Sequence, residues 1–310
     1  MIGYVLVLTA VALWSLNGVL AKVVVTGDGL SVLRLAEMRA AGAALLLFGA
    51  VAIIRPKSLR VSLRELGYLA LFGIFGLALV HLFYFVAISR LDIGIALVIE
   101  YIAPVLIALW ARFFVHEPVR RRLWLALALS LTGLTLVVDL WGGGGSLSTI
   151  GVMASLGGAV AYAVYILMAD HSLRGGRDAF SLLAWGFVFA ALFWALVQPW
   201  WTFPLDSLTG ETSLQGRLEG YQSPVWLLVG YIVIFGTIVP FLLMVSALHY
   251  IPPTRATIVA MAEPVMAGLA AWAWLGEELS PGQIVGGILV LGGIVLAQTA
   301  RTGDRTGERT

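Results

Sequence analysis

Residues 92–118, DIGIALVIEYIAPVLIALWARFFVHEP, return in altered form at 252–278, PPTRATIVAMAEPVMAGLAAWAWLGEE, 160 positions later. Pro104 falls on Pro264, Ala96 on Ala256 and Glu117 on Glu277. The same register carries outward to Leu82 and Leu242, Ala87 and Ala247, and Gly133 and Gly293. A weaker match, at an offset of 148, sets Trp14 on Tyr162 and Gly3 on Gly151. Chance resemblance between apolar stretches would not also align a proline and a glutamate, so the pattern reads as an internal duplication.

The medium in which these segments fold follows from composition. Of the 310 residues, 60% are hydrophobic and 12% charged, against about 45–50% and about 25% in soluble domains. A water-soluble chain would have to leave large apolar patches wet, which monomers seldom tolerate. The bilayer is therefore the solvent. A spanning helix needs about 20 mostly apolar residues, and that length marks spans near 2–25, 31–54, 65–88, 92–115, 119–138, 147–170, 178–200, 224–249, 253–275 and 280–299. The first is too long for a signal-peptide core of about 7–15 residues and lacks a basic start, so it is read as a span. The loop from Trp200 to Ser223 is polar, with Trp200 and Trp201 suited to the membrane interface.

Ten spans divide into a first repeat at 1–140 and a second at 141–300, followed by a disordered cytoplasmic tail at 301–310, rich in Arg, Thr, Gly and Glu. Five spans per repeat, an odd number, force the second to enter the membrane upside down. The expected fold is an all-α integral membrane protein of about ten transmembrane helices in two inverted five-helix repeats, an arrangement that in secondary transporters places substrate near the midplane. With the N-terminus in the cytoplasm, fourteen of the nineteen Lys and Arg residues fall on the inner side. The positive-inside rule thus places both termini in the cytoplasm; the expected location is the plasma membrane.

Other classes recede. The net charge of +2 and pI near 9.0 come from arginines scattered over short loops, not from one basic face, so nucleic acid is not an expected partner. With no cysteine, disulfides, thiolate catalysis and Cys-bearing metal sites are excluded. There is no HExxH, Gly-x-Ser-x-Gly or P-loop. No enzyme activity, catalytic residue, metal or cofactor is expected; an intramembrane enzyme or flippase acting on lipid-linked substrates is the alternative from another class.

Tyr84-Phe85-Val86-Ala87, Ala96, Pro104 and Glu117, with Ala247, Pro252, Ala256, Glu263-Pro264 and Gly276-Glu277-Glu278 in the second repeat, make the chain resemble the EamA branch of the drug/metabolite transporter superfamily. The resemblance implies ten helices in an inverted 5+5 fold and alternating access. It also implies export or uptake of metabolites such as amino acids, nucleosides or amphiphilic compounds, through a cavity lined mainly by helices 1, 3, 4, 6, 8 and 9. His116 and Pro118 depart from the Gly-Glu usual around Glu117.

A charge at the bilayer centre costs about 2.5–3.5 kcal/mol on insertion scales, so ionisable residues inside spans mark functional candidates. There are four: Arg39, His81, Glu100 and Glu263. At about 1.5 Å per residue, Arg39, His81 and Glu100 fall in one layer about 4–6 Å to the outer side of the midplane. There they can form an ion pair, bind a zwitterion or relay protons; Arg39 can equally pair with Glu37 as a structural element. Trp14 with Asn17, His81 with Tyr84, and Tyr162 with Tyr165 are each spaced i, i+3, so each pair shares a face. With Tyr101 beside Glu100, they complete a candidate substrate site of apolar walls and few polar groups. Pro104, Pro240 and Pro264 are candidate hinges. The expected partners are a small-molecule substrate, the lipid bilayer and protons. Gly282 and Gly286 give a small-residue face for helix 5 or for a second protomer in a homodimer.

Overall fold

The computed structural model describes residues 1–27, 30–91, 93–116, 119–139 and 148–299. Glu117, Pro118, the expected boundary between repeats at 140/141 and the tail 301–310 lie outside the described residues. Ten long helices stand where the ten spans are expected: α1 Ile2–Gly27, α2 Val32–Ile54, α3 Leu63–Ile88, α4 Ile95–Phe113, α5 Arg121–Val137, α6 Thr149–Arg174, α7 Ala179–Val197, α8 Val225–Ala247, α9 Pro253–Leu275 and α10 Pro281–Thr299. Among the described residues, nine are long and apolar enough to cross a membrane. The exception, α5, has 17 residues, or about 26 Å of helix against a hydrocarbon core of about 30 Å.

Several starts are fixed by caps that satisfy otherwise orphaned N–H groups. The Ser31 and Ser62 hydroxyls accept from the amides of Arg34 and Glu65 at 3.2 and 3.3 Å, and the Asp178 carboxylate from that of Ser181 at 3.0 Å. Large side chains such as Leu45, Ile53, Leu196 and Ile288 stay exposed on the outer surface of the bundle, as lipid-facing positions should. The loop between α7 and α8 contains a small antiparallel hairpin, β1 Glu211–Ser213 with β2 Gln222–Pro224, in which Thr212 faces Ser223.

Packing is reciprocal. α1 lies against α8 and α9, α6 lies against α3 and α4, α2 pairs with α7, and α5 with α10. Each half thus lodges its first helix among the third and fourth helices of the other. Irregularities recur in the same register: α3 widens into a π turn at Phe72–Ala78 and α8 at Ile234–Ile238, while α4 breaks at Tyr101-Ile102 and α9 at Met261-Ala262. These recurrences support reading the chain as two related halves.

The glycine stripe of α10 resolves onto helix α5. A Cβ on Gly133 would lie 2.6 Å from the Gly286 carbonyl oxygen, and one on Gly286 would lie 2.5 Å from that of Gly133. Gly293 likewise meets Ser130 and Ala126, whereas Gly282 has only Ser280 nearby at 3.7 Å. The close-packed pair is therefore Gly286 with Gly293, not Gly282 with Gly286. Gly286→Val should destabilise the detergent-solubilised protein by about 1–3 kcal/mol, the usual cost of overpacking. Gly49→Ala, at a position with no atom within 4 Å, should melt at or above the parent temperature in the same thermal scan.

Candidate transport cavity

A cavity of about 570 Å³ runs between the helices from the middle of the bundle to the end where α1 finishes and α2 begins. At that end it is bordered by Thr26 and by Lys22, whose side chain is 54% exposed and pairs with Glu277 at 2.7 Å. Its floor is aromatic. Trp14 meets Phe241 edge-on at 5.3 Å, Phe241 meets Tyr165 at 5.5 Å, and Tyr165 meets Tyr162 at 5.9 Å. Beyond that floor, Val7, Val11, Ile107, Met244 and Ile258 are fully buried, so the bundle is closed toward the start of α1.

All nine residues expected at a substrate site border this one space: Trp14, Asn17, His81, Tyr84, Glu100, Tyr101, Tyr162, Tyr165 and Glu263. Arg39 and Pro104 join them. Pro240 and Pro264 do not line the cavity among the described residues; they act on backbone. Phe85, Phe241 and Lys22 also line it and fall outside the set expected from sequence. Phe85 was legible as the i+4 neighbour of His81, while the place of Phe241 depends on the distorted helix it follows.

The broken helices explain where the charges sit. Proline has no N–H and cannot bond the carbonyl four residues back. Pro104 and Pro264 open the restarted segments Ala103–Phe113 and Glu263–Leu275, where a missing donor is tolerated. Glu100 ends the segment before the break in α4, and Glu263 begins the segment after the break in α9. The Tyr101 hydroxyl donates to Glu263 Oε2 at 3.1 Å, and Ser15 Oγ donates to the Glu263 backbone carbonyl at 3.1 Å. Glu100 has no hydrogen-bond or ion-pair partner among the described residues; its carboxyl group lies over Gly158 of α6, where a Cβ would make ordinary contact at 3.6 Å. His81 Nδ1 is 2.9 Å from the Leu77 carbonyl of its own helix.

Arg39 serves a different partner from those expected. Gly236 lies in the π turn, four residues before Pro240, which has no N–H to give its carbonyl. Arg39 Nη2 donates to that carbonyl at 3.2 Å and Nε donates to Thr237 Oγ1 at 2.9 Å. The Thr237 hydroxyl in turn donates to the Ile232 carbonyl at 3.1 Å. Among the described residues, neither Glu37 nor Glu100 is an ion-pair partner of Arg39. Glu37 instead binds Arg34 at 2.8 Å, one turn along α2, and Arg34 continues to the Pro199 carbonyl and the Thr202 hydroxyl. The i, i+3 spacing of Arg34 and Glu37 was available in the sequence; the need of a carbonyl 197 residues away was not. Asn17 is 6% exposed, packs against Gly236, and has no partner for Oδ1; the Tyr165 hydroxyl is likewise buried and unpartnered among the described residues.

A multi-helix bundle with an aromatic-walled central cavity, open at one end and carrying a few buried charges, defines a membrane transporter of small molecules. The chain belongs to the EamA-like transporter family, whose profile matches residues 1–139 and 149–299. It is 28% identical over 253 residues to the threonine/homoserine exporter RhtA of Escherichia coli strain K12, covering 81% of this chain and 76% of that protein. It is 23% identical over 253 residues to the uncharacterized transporter YdfC of Bacillus subtilis strain 168, with the same coverage. A solved crystal structure superposes with a TM-score of 0.75 at 20% identity, over 95% of this chain and 96% of the other, and so shares the fold.

The bond from Arg39 to a proline-freed carbonyl is open to a double-mutant cycle. Arg39→Ala should cost about 1–3 kcal/mol by leaving the Gly236 carbonyl unsatisfied. In a Pro240→Ala background, where residue 240 regains an N–H, the same change should cost at least about 0.5 kcal/mol less. Thermal melts of the four proteins in detergent measure the difference, and strict additivity would contradict the assignment.

Proposed function

We propose that the protein is a secondary transporter that exports small organic metabolites, amino acids or similar amphiphiles, by alternating access coupled to protons. The observation that carries this reading is the cavity itself. Its 570 Å³ lies within the range of about 300–1,000 Å³ of small-molecule sites, and it combines apolar walls with few charged groups as such sites do. The amino-acid class draws support from the resemblance to the threonine/homoserine exporter.

Charge supports the orientation. Arg55, Arg177 and Arg255 lie at the ends of helices on the side where α1 starts: Arg177 binds Glu65 and the Ser58 carbonyl, and Arg255 reaches the Tyr4 hydroxyl. The positive-inside rule assigns that side to the cytoplasm. The cavity, opening at the other end, then faces outward, in a state ready to release an exported solute. Resealing the outer mouth and parting the aromatic floor would complete the cycle, with the irregular turns of α3, α4, α8 and α9 as the places to bend. Both termini lie in the cytoplasm and the two inverted halves rock against each other in this scheme.

Glu100 and Glu263 are the proton-carrying candidates, since a carboxylate in the membrane interior needs either a proton or a cationic partner. Uncoupled exchange on the same fold differs in its response to pH. In proteoliposomes preloaded with unlabelled amino acids, at least one radiolabelled amino acid should undergo counterflow. An imposed pH gradient should drive its accumulation, and Glu100→Gln should lower that accumulation at least tenfold. Counterflow indifferent to both the gradient and the substitution would leave an uncoupled exchanger; no flux of any amino acid would exclude the substrate class.

A further inference from the structure

We propose that the cavity selects its solute by an ammonium group, which Glu100 binds, so that the substrate class is a protonated amine on an apolar or aromatic body, with or without a carboxylate. This rests on the cavity being the substrate site and goes further by assigning which charge of the solute is read.

The two carboxylates differ in how far their neighbours satisfy them. Glu263 has its Oε2 held by the Tyr101 hydroxyl and stands within electrostatic reach of Arg39. Glu100 borders the same space with no hydrogen-bond or ion-pair partner among the described residues. Arg39 cannot serve as a free anion receptor, because its Nε and one Nη are committed to Thr237 and to the Gly236 carbonyl. Lys22, the other cation on the wall, is paired with Glu277 at the mouth. The cavity therefore offers, among the described residues, one open carboxylate and no lysine or arginine of equal freedom.

Its walls suit the same ligand. Tyr84, Tyr101 and Tyr162 stand within electrostatic reach of both carboxylates, and Trp14, Tyr165 and Phe241 complete the aromatic floor. Ring faces attract cations and accept apolar bodies. An ammonium beside Glu100 can therefore be charge-paired while its carbon skeleton lies on the rings. Asn17 and Tyr165, both buried and each with an unpartnered polar atom, give the floor polar groups that the fold leaves unused. A bare anion of the same body would meet two carboxylates and an arginine already engaged.

Three probes of one shape separate the charges: phenethylamine, phenylalanine and 3-phenylpropionate. Each is titrated against the purified full-length protein in detergent near neutral pH, with intrinsic tryptophan fluorescence as the signal. Phenethylamine and phenylalanine should both saturate it, and 3-phenylpropionate should bind at least tenfold more weakly. Glu100→Gln should weaken phenethylamine at least tenfold, with Glu100→Asp recovering part of the loss. A thermal melt shows each variant to be folded, and if Glu100→Gln is not, Glu100→Asp and the wild-type ranking of the probes carry the test. Equal or tighter binding of 3-phenylpropionate, unchanged phenethylamine binding in folded Glu100→Gln, or no binding of either amine would overturn the proposal. Amine binding without amino-acid flux would sustain it while removing the amino-acid export reading. Amino-acid flux independent of Glu100 would do the reverse.

Discussion

The interior of a bilayer offers no water to satisfy a freed backbone carbonyl, so each break in a spanning helix must be repaired from within the protein. At Pro240 the repair comes from another helix. Arg39 of α2 reaches the Gly236 carbonyl and the Thr237 hydroxyl, and the side chain so fixed forms part of the cavity wall. Gly236 is a glycine for a related reason: Asn17 of α1 occupies the place where its Cβ would stand. One local deficit thus ties together α1, α2 and α8 at the depth of the cavity.

The same economy governs α4 and α9. Their prolines interrupt the helices next to Glu100 and Glu263, so both buried carboxylates reach the space at a break in a helix. Around it, tight regular contacts take over: α5 and α10 approach until Gly133 and Gly286 leave no room for a methyl group. Arg177 on Glu65, Ser58 and Ser181 joins the ends of α2, α3 and α7 at the closed side of the bundle. The irregular α3, α4, α8 and α9 thus border the cavity together with the unbroken α1, α2 and α6, and the glycine-fitted pair α5 and α10 packs outside it.

Much of this was legible in the sequence. Apolar length located ten helices, and the 160-residue register anticipated that α4 and α9 share a break. Helical spacing and the scarcity of buried charge picked residues that the fold brings to one cavity, because a charge in the membrane has few places to go. What spacing could not reveal was partner choice. Arg39 lies close to Glu37 along the chain, yet the closer turn of Arg34 takes the carboxylate. Arg39 turns instead to the Gly236 carbonyl, in a π turn just before Pro240. Gly282 and Gly286 have the right spacing for a packed face, but the helix is rotated so that Gly286 and Gly293 meet α5. A period names a face; only tertiary packing says which side of it is used.

Whether solute passes through this cavity can be tested directly, because the chain contains no cysteine and a single one can be introduced at will. Gly18 lines the cavity, and a Cβ at that position would have no neighbouring atom within 4 Å, so Gly18→Cys fits without disturbance. In proteoliposomes carrying that variant, a bulky membrane-impermeant thiol reagent added on the side of the cavity mouth should block amino-acid counterflow, while the cysteine-free parent stays active under the same treatment. Full labelling of the Gly18→Cys thiol with counterflow undiminished would place the transport path elsewhere and contradict passage through this cavity.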